Sequence, residues 1–363
     1  MDNVNGGPGV TKAQVIAMAM VILFQISIVP TPSILDEPST RMESSVSNQL
    51  ETYSLYLTTG NNLSTVLPSE GGQLEASALD TSLEFTTNEL MQSLQVVGDK
   101  RQTGGGSQYY IPLNIFLKAE GPQNSIVTWT FSLQAGGSTV ATGELENEAC
   151  SGFGGCDFEH EAIDVDLTGS GGSSSFMVSE SDELVLVIRA EMTGCGDGGF
   201  FNDCDAKVAF NQISGDSRYS LIDISTNAVS DTVFFVQRPG DGFIDGAVVD
   251  WYPNDVISDR EMQFSFDVKS AFGRKDIESV ELRLRYTETN QLMLEKDLTP
   301  VPQQIEWTTE GLFGRFKWTY QSGLESGDYE AELRVTDVQS NVFTISHETC
   351  LLYTSDAADE LSC

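Results

Sequence analysis

The sequence is poor in basic residues and almost lacks histidine. Its 363 residues include 19 Lys+Arg and 2 His against 54 Asp+Glu, a formal net charge of −35. Nucleic acid phosphates are bound by clustered Lys and Arg, so we predict no nucleic acid partner. His160 and His347 alone support neither a Ser-His-Asp arrangement nor an H-E-x-x-H zinc motif. We therefore predict that the chain is not an enzyme, although a glycosidase would need only two carboxylates.

Long hydrophobic runs are also scarce, and the prominent one lies near the N-terminus. The apolar segment Ala13 to Val29 follows Lys12. Its length is at the lower limit for a membrane-spanning helix, and no small-residue cleavage site follows it. We predict a signal-anchor at residues 13–30 behind a cytoplasmic head at residues 1–12, in a single-pass cell-membrane protein whose bulk is extracellular. A cleaved signal peptide and a buried core helix are the alternatives.

A helical pattern follows the apolar run. Thr40 and Glu43 have the spacing of a capping box. After Thr40, apolar residues recur at helical intervals, at Met42, Val46, Leu50, Tyr53 and Leu57. Gly, Ser and Asn then dominate up to about residue 80, as is typical of a flexible linker. We predict a stalk helix and spacer over residues 31–80, with an N-glycosylation sequon at Asn62.

From about residue 81 onward the sequence has the two-residue period of β-strands. Segments rich in β-branched and aromatic residues are separated by Gly, Asn, Asp and Ser, without intervening helical stretches. The predicted strands are Gln108–Ala119, Ser125–Gln134, Ala162–Leu167, Glu183–Ala190, Ala206–Phe210 and Tyr219–Ile224. They predict an antiparallel, jelly-roll-like β-sandwich over residues 81–238. The turn-forming residues 238–242 (RPGDG) mark the domain boundary.

A second β region follows over residues 243–349. Its predicted strands are Ala247–Tyr252, Met262–Ser270, Ser279–Thr287, Leu292–Asp297, Gly314–Tyr320, Tyr329–Thr336 and Val342–Ser346. This number of short strands is typical of an immunoglobulin-like sandwich. The whole chain is thus predicted to be all-β, with two tandem antiparallel sandwiches behind the anchor and the stalk helix.

Two segments of the sequence resemble known sequences. The stretch Gly327 to Asp337 (GDYEAELRVTD) resembles the closing strands of extracellular Ig-like and PKD-like domains of prokaryotic surface proteins. The resemblance implies a corner tyrosine at Tyr329 and a sandwich fold for the second region. The segment Cys350 to Glu360 resembles the translation of a sequencing-library adapter found in metagenomic reading frames. We therefore expect residues 350–363 to be an artefact and the natural chain to continue beyond residue 349.

The remaining cysteines lie in the first β region, where they flank two glycine-rich loops. They are Cys150, Cys156, Cys195 and Cys204. An even number of cysteines in an exported domain predicts disulfides. Pairing within each loop is the simplest arrangement, and pairing between the loops is the alternative. Zinc is less favoured because the spacings are Cys-x5-Cys and Cys-x8-Cys rather than the shorter spacings of zinc sites.

Two weaker sites complete the sequence-based predictions. Oxygen ligands for calcium are available around the second cysteine loop, at Asp197, Asn202, Asp203 and Asp205. No dedicated calcium loop motif is present, so turn formation by these residues is the favoured interpretation and no cofactor is required. A carbohydrate-binding strip could form from Trp307, Trp318 and Tyr320. Packing of these aromatic rings into the core is the favoured alternative.

Together these features predict a membrane-anchored extracellular surface protein. We expect the protein to act in adhesion, cell-envelope structure or ligand binding. Its ligand would be a surface glycan or a protein. The alternative is an extracellular hydrolase or its carbohydrate-binding accessory module, with any catalytic domain located beyond residue 349.

Overall fold

The structure is a computed structural model of the chain. It describes residues 45–46, 49–68, 73–104, 106–151, 156–168, 173–195, 204–211, 218–237, 250–251, 261–300, 305–320 and 327–351. Of residues 45–46, 250–251 and 350–351 it describes the backbone alone.

The described residues form 24 strands and one short 3-10 helix, Arg274–Asp276. In chain order the strands are β1 (Ser45–Val46), β2 (Glu51–Thr58), β3 (Asn62–Ser64), β4 (Leu74–Ser77), β5 (Ser82–Thr86), β6 (Leu94–Val97), β7 (Asp99–Thr103), β8 (Gly106–Glu120), β9 (Ile126–Ala135), β10 (Ser138–Glu148), β11 (Glu159–Leu167), β12 (Ser175–Val178), β13 (Leu184–Met192), β14 (Asp205–Phe210), β15 (Leu221–Thr226), β16 (Val233–Gln237), β17 (Asp250–Trp251), β18 (Glu261–Lys269), β19 (Ile277–Tyr286), β20 (Gln291–Asp297), β21 (Ile305–Trp307), β22 (Gly311–Thr319), β23 (Gly327–Asp337) and β24 (Val342–Leu351). The all-β prediction is confirmed.

The largest sheet has 14 strands, in the order β12-β6-β15-β2-β3-β5-β13-β9-β10-β11-β8-β14-β4, with β7 paired to β8. An additional pairing of β15 with β8 closes part of this path into a ring of nine strands. Alternate residues of the ring strands point inward, and Trp129 and Phe131 on β9 are fully buried. The closure was not evident from the sequence because it depends on Leu221 and Ile222 pairing with residues of β8 that are distant in the chain.

Two smaller sheets contain most of the second β region. One has six strands, β1-β24-β23-β19-β20 with β17 beside β24, and the other has four, β16-β18-β22-β21. Tyr329 is buried and its ring lies 5.1 Å from that of Tyr286. The backbone of Cys350 and Leu351 continues β24 opposite Asp328 and Gly327.

One continuous hydrophobic core serves all three sheets. It extends from Tyr53 on β2 to Ile345 on β24 and includes Phe264 and Phe266 on β18. The first strands of the described chain therefore pack against its last strands. The boundary predicted at residues 238–242 lies outside the described residues.

The predicted stalk helix is wrong where the structure describes it. Residues 51–58 form β2, in which Tyr53, Leu55 and Leu57 are buried. Tyr53 and Leu57 are four residues apart, a spacing that fits one helix face but also one face of a strand. Leu50, which the helix would bury, is 46% exposed. Thr40 and Glu43 of the predicted capping box lie outside the described residues.

The prediction of a flexible spacer before residue 80 is also wrong for its described part. Residues 62–64 form β3 and residues 74–77 form β4. Leu63 on β3 and Ala78 directly after β4 are buried. A single apolar side chain therefore helps to hold each of these short strands against the core. Asn62 of the predicted sequon is exposed at the start of β3, and its side chain donates a hydrogen bond to the Thr59 carbonyl oxygen at 3.0 Å.

Within the described residues, no helix is long and apolar enough to cross a membrane. The predicted anchor at residues 13–30 and the head at residues 1–12 lie outside the part of the chain that the structure describes. The membrane anchor remains a prediction from the sequence.

Candidate functional site: an open groove on the outer face of the large sheet

The nine-stranded ring has a short ladder between two neighbouring strands. β10 pairs with β9 over ten residue pairs, and β11 pairs with β8 over eight. Between β10 and β11, however, the ladder joins only Ala141 with Leu167 and Thr142 with Asp166. The two strands stay in contact beyond this ladder, since the Asn147 side chain donates a hydrogen bond to Glu161 at 3.2 Å. A groove of about 910 Å³ lies on the outer face of the sheet here, lined by residues of β7, β9, β10, β11 and β13.

The groove is lined mainly by hydroxyl and charged side chains. Its floor includes Thr130 and Ser132 of β9 and Thr142 of β10. Ala162 of β11 leaves the floor open beside them, since its side chain is only a methyl group. Ligand pockets are usually more apolar than this, so the groove offers a ligand hydrogen bonds and charge rather than apolar contact.

Arg101 forms one wall of the groove. From β7 its guanidinium reaches Asp164 at 2.5 Å and Asp166 at 2.6 Å. The guanidinium also lies 5.4 Å from the centre of the Tyr110 ring and donates to Gln108 at 3.3 Å. The hydrogen bond to Asp164 is the main cause of a raised Arg101 pKa. These partners fix the side chain and neutralise part of the acidic wall of β11.

Arg189 lies on the opposite side, on β13. Its guanidinium contacts Glu191 at 3.1 Å, and both side chains are largely exposed. In the register of the sheet, Thr130 is opposite Arg189 on one side and Glu144 on the other. Hydroxyl groups therefore separate the cationic wall at Arg189 from the acidic strand β10.

Two disulfides close loops between strands of the large sheet. Cys150 and Cys156 are bonded, and so are Cys195 and Cys204. The backbone NH of Cys150 donates to the Ala119 carbonyl oxygen of β8 at 2.9 Å, beyond the start of β11. The predicted disulfides are confirmed, with each bond closing its own loop rather than joining the two loops.

Of the four calcium candidates, the structure describes Asp205 alone. Asp205 lies on β14, where it contacts Lys207 at 3.0 Å and accepts a hydrogen bond from Ser77. Asp197, Asn202 and Asp203 lie outside the described residues. Within the described part of the chain no group of three His, Cys, Asp or Glu residues could hold a metal ion.

The three aromatic candidates do not form one exposed strip. Tyr320 is buried, which contradicts its predicted role at the surface. Trp307 and Trp318 are partly buried against the core. The Arg274 guanidinium covers the Trp307 ring at 3.3 Å. These rings pack against the core instead of forming an exposed strip, as the alternative interpretation of these residues expects.

Sequence reasoning missed a buried acidic pair where β2 meets the last hairpin. Asp276 and Asp337 are each 1% exposed. Asp276 accepts a hydrogen bond from Ser270 at 2.6 Å through one oxygen, and its other oxygen has no partner. Asp337 accepts the backbone NH groups of Gln339 and Asn341 at 2.8 Å. Burial, followed by the charge of Asp337, raises the pKa of Asp276 to about 6.

We expect Asp276 to make the protein more stable in mildly acidic solution. Its pKa in the folded protein is about 6, above the ordinary value of 3.8. The folded state therefore binds more protons than the unfolded state between these values, and the stabilisation is fully present below about pH 4 and lost as pH rises through 6. The free energy of unfolding should change by up to about 1.4 kcal/mol per pH unit in this window.

Urea unfolding of the wild type and Asp276→Asn between pH 4 and pH 8 measures this effect. The difference between the two curves cancels contributions from the other carboxylates. Asp328→Asn, at an exposed position, is the matched control and should follow the wild type. A wild-type curve parallel to that of Asp276→Asn would contradict the expectation.

Comparisons with known proteins do not assign the chain to a family. No protein-family model and no curated protein matches the chain. The soluble domain of PmoD from Methylocystis sp. is 12% identical over 33% of this chain and 90% of that domain, with a TM-score of 0.22. A β-glucuronidase of Parabacteroides merdae is 10% identical over 73% of this chain and 35% of its own, with a TM-score of 0.23. A DUF4785 family protein of Legionella pneumophila is 11% identical over 86% of this chain and 68% of its own, with a TM-score of 0.20. Likenesses this weak define neither a fold family nor an activity.

Proposed function

We propose that the chain is a membrane-anchored extracellular protein that binds a ligand at the cell surface, in adhesion or in the cell envelope. The two disulfides carry this proposal. Each closes a short glycine-rich loop in the large sheet, and such bonds persist in oxidising, extracytoplasmic compartments. The apolar run at residues 13–29 supplies a route of export.

The groove on the outer face of the large sheet is the binding surface in this proposal. Its hydroxyl, carboxylate and guanidinium groups offer hydrogen bonds in an open, accessible arrangement. The acidic composition supports the same role, because a net charge of −35 keeps an exposed domain soluble and repels anionic surfaces.

Thiol trapping in a bacterial host tests the proposal. The full chain carrying Cys350→Ser and Cys363→Ser is denatured and treated with a maleimide polymer, before and after reduction. We expect no modification before reduction and four additions afterwards, because the remaining four cysteines are paired. A variant with Ala19→Arg and Leu23→Asp should stay in the cytoplasm and react at all four thiols, since a charge at the centre of a membrane helix costs about 3 kcal/mol.

Ala19→Leu with Leu23→Ala is the matched control, because it keeps the segment apolar and should behave as the unmodified chain. Reactive thiols in the full chain would contradict export to an oxidising compartment. Equal protection in the charged variant would show that disulfide formation does not depend on the apolar run.

A further inference from the structure

We infer that the turn after β23, residues 337–341, is a pH-sensitive latch: it holds β2 while Asp276 is protonated and loosens when Asp276 ionises. The latch joins the nine-stranded ring, which contains β2, to the six-stranded sheet, which contains β23. Two features of the described residues support the inference. They are the hydrogen bonds between the latch and β2, and the buried acidic pair next to them.

Gln339 connects the latch to β2. Its side-chain amide donates hydrogen bonds to the carbonyl oxygens of Ser54 and Thr65, at 2.7 and 2.8 Å, and its amide oxygen accepts the Ser54 NH at 2.8 Å. The ladder between β2 and β3 reaches only as far as the pair Tyr56 and Ser64. Gln339 therefore takes the place of a strand partner at Ser54, and these bonds break when the latch moves away from β2.

Two aspartates hold the latch in position. One carboxylate oxygen of Asp337 accepts the backbone NH groups of Gln339 and Asn341, both at 2.8 Å. The backbone carbonyl oxygen of Asp276 accepts the Val338 NH at 2.9 Å, which ties the latch to the 3-10 helix. The Asp276 side chain therefore belongs to the element on which the latch rests.

The carboxyl group of Asp276 lies among groups that disfavour a negative charge. It faces Asp337 at the end of β23 and, on β2, the Tyr53 hydroxyl, which is also close to Glu51. Ser270 donates to one of its oxygens at 2.6 Å, and the other oxygen has no hydrogen-bond partner among the described residues. A buried charge that is incompletely hydrogen-bonded and close to another carboxylate is costly. Burial, followed by the charge of Asp337, therefore raises the pKa of Asp276 to about 6.

The basic residues of the same 3-10 helix do not neutralise Asp276. The Arg274 guanidinium lies over the Trp307 ring at 3.3 Å, and Lys275 is exposed. An ionised Asp276 is thus poorly compensated while the latch is docked. Undocking lets water reach the carboxylate, so ionisation favours the undocked latch.

Hydrogen exchange of single amides in the full chain in detergent tests the inference. The reporter is the Ser54 NH, which donates to Gln339. The control is the Leu57 NH on the same strand, which donates to Ser220 at 2.9 Å instead. Exchange is measured at pH 5 and pH 7 by mass spectrometry with electron-transfer fragmentation. Each rate is divided by the rate of the same amide in the unfolded chain, which leaves the opening equilibrium.

We expect opening at Ser54 to increase about tenfold from pH 5 to pH 7. A carboxyl with a pKa of about 6 in the docked state and the ordinary 3.8 in the open state gives this factor. Opening at Leu57 should change by less than about twofold, because local opening of the latch leaves the bond to β15 in place.

Three variants locate the effect. Asp276→Asn keeps the shape of the side chain without its charge, so opening at Ser54 should differ by less than about twofold between the two pH values. Asp328→Asn removes an exposed charge from β23 and should retain the wild-type increase. Gln339→Ala removes the contact with Ser54 but keeps both buried aspartates. Its Ser54 NH should exchange about tenfold faster than in the wild type at pH 5, with little further increase at pH 7.

Three results would overturn the inference. One is equal opening at Ser54 at the two pH values in the wild type, and another is an increase that persists in Asp276→Asn. The third is an increase of the same size at Leu57, which would show that the whole ring loosens with pH. If Asp276→Asn does not fold, the comparison of Ser54 with Leu57 in the wild type and the Gln339→Ala variant still decide the question.

Discussion

Replacing Tyr53 by alanine should lower the free energy of unfolding by about 3–5 kcal/mol, the usual cost of removing a large aromatic side chain from a core. Tyr53 is fully buried on β2. Its ring lies 5.4 Å from Phe272 and 6.3 Å from Phe343, both distant in the chain. The substitution therefore opens a cavity where the first strands meet the last sheet. Urea unfolding followed by tryptophan fluorescence measures the loss.

Controls on the same segment separate a strand from a helix. Leu55→Ala should also be strongly destabilising, by about 3 kcal/mol, because Leu55 is fully buried. Leu50→Ala should change stability by less than about 0.5 kcal/mol, because Leu50 is 46% exposed. A stalk helix would reverse this order, since Leu50 shares its apolar face with Tyr53 and Leu57. A larger loss for Leu50→Ala than for Leu55→Ala would therefore contradict the fold.

The second large effect is expected at Gly311, where β22 pairs with β18. A Cβ atom at this position would overlap the Val268 carbonyl oxygen and lie 2.9 Å from Ile277 Cδ1. The first of these is backbone of a strand that pairs with β22 up to this point, so it has little freedom to move. Gly311→Ala should cost about 3 kcal/mol, at the upper end for an overpacked core.

Gly104→Ala is the matched control for Gly311→Ala. A Cβ atom at position 104 meets nothing within 4 Å. The free energy of unfolding of this variant should therefore be within about 0.5 kcal/mol of the wild-type value. Equal midpoints for the two glycine variants in the same urea titration would show that β22 does not approach β18 as described.

The alternation of apolar and polar residues along the sequence predicted the class of the fold and many of its strands. Segments such as Gln108–Ala119 and Ser125–Gln134 alternate apolar and polar residues so regularly that β8 and β9 follow from them. β10 was missed because its outward positions are Thr and Glu and its inward positions include Gly143 and Asn147, so its apolar signal is weak. The stalk was misassigned because Tyr53 and Leu57 satisfy both periods.

The candidate site was harder to anticipate than the fold. The disulfides followed from cysteine spacing, since each pair flanks one short loop. The groove is lined by strands that are distant in the chain, and the Arg101 contacts with Asp164 and Asp166 join residues more than sixty positions apart. The burial of Asp276 beside Asp337 likewise arises from packing between distant elements. No local sequence pattern encodes these relationships.

The central claim is that the chain is an exported β protein with locally formed disulfides, and non-reducing peptide mapping tests it most directly. The full chain is recovered from the host membrane fraction, its free thiols are blocked, and it is digested with chymotrypsin. Cleavage after Phe153 and Phe201 splits both cysteine loops, so each disulfide should join two fragments. We predict Cys150 linked to Cys156 and Cys195 linked to Cys204. Blocked thiols at all four positions, or fragments linked between the two loops, would contradict the account.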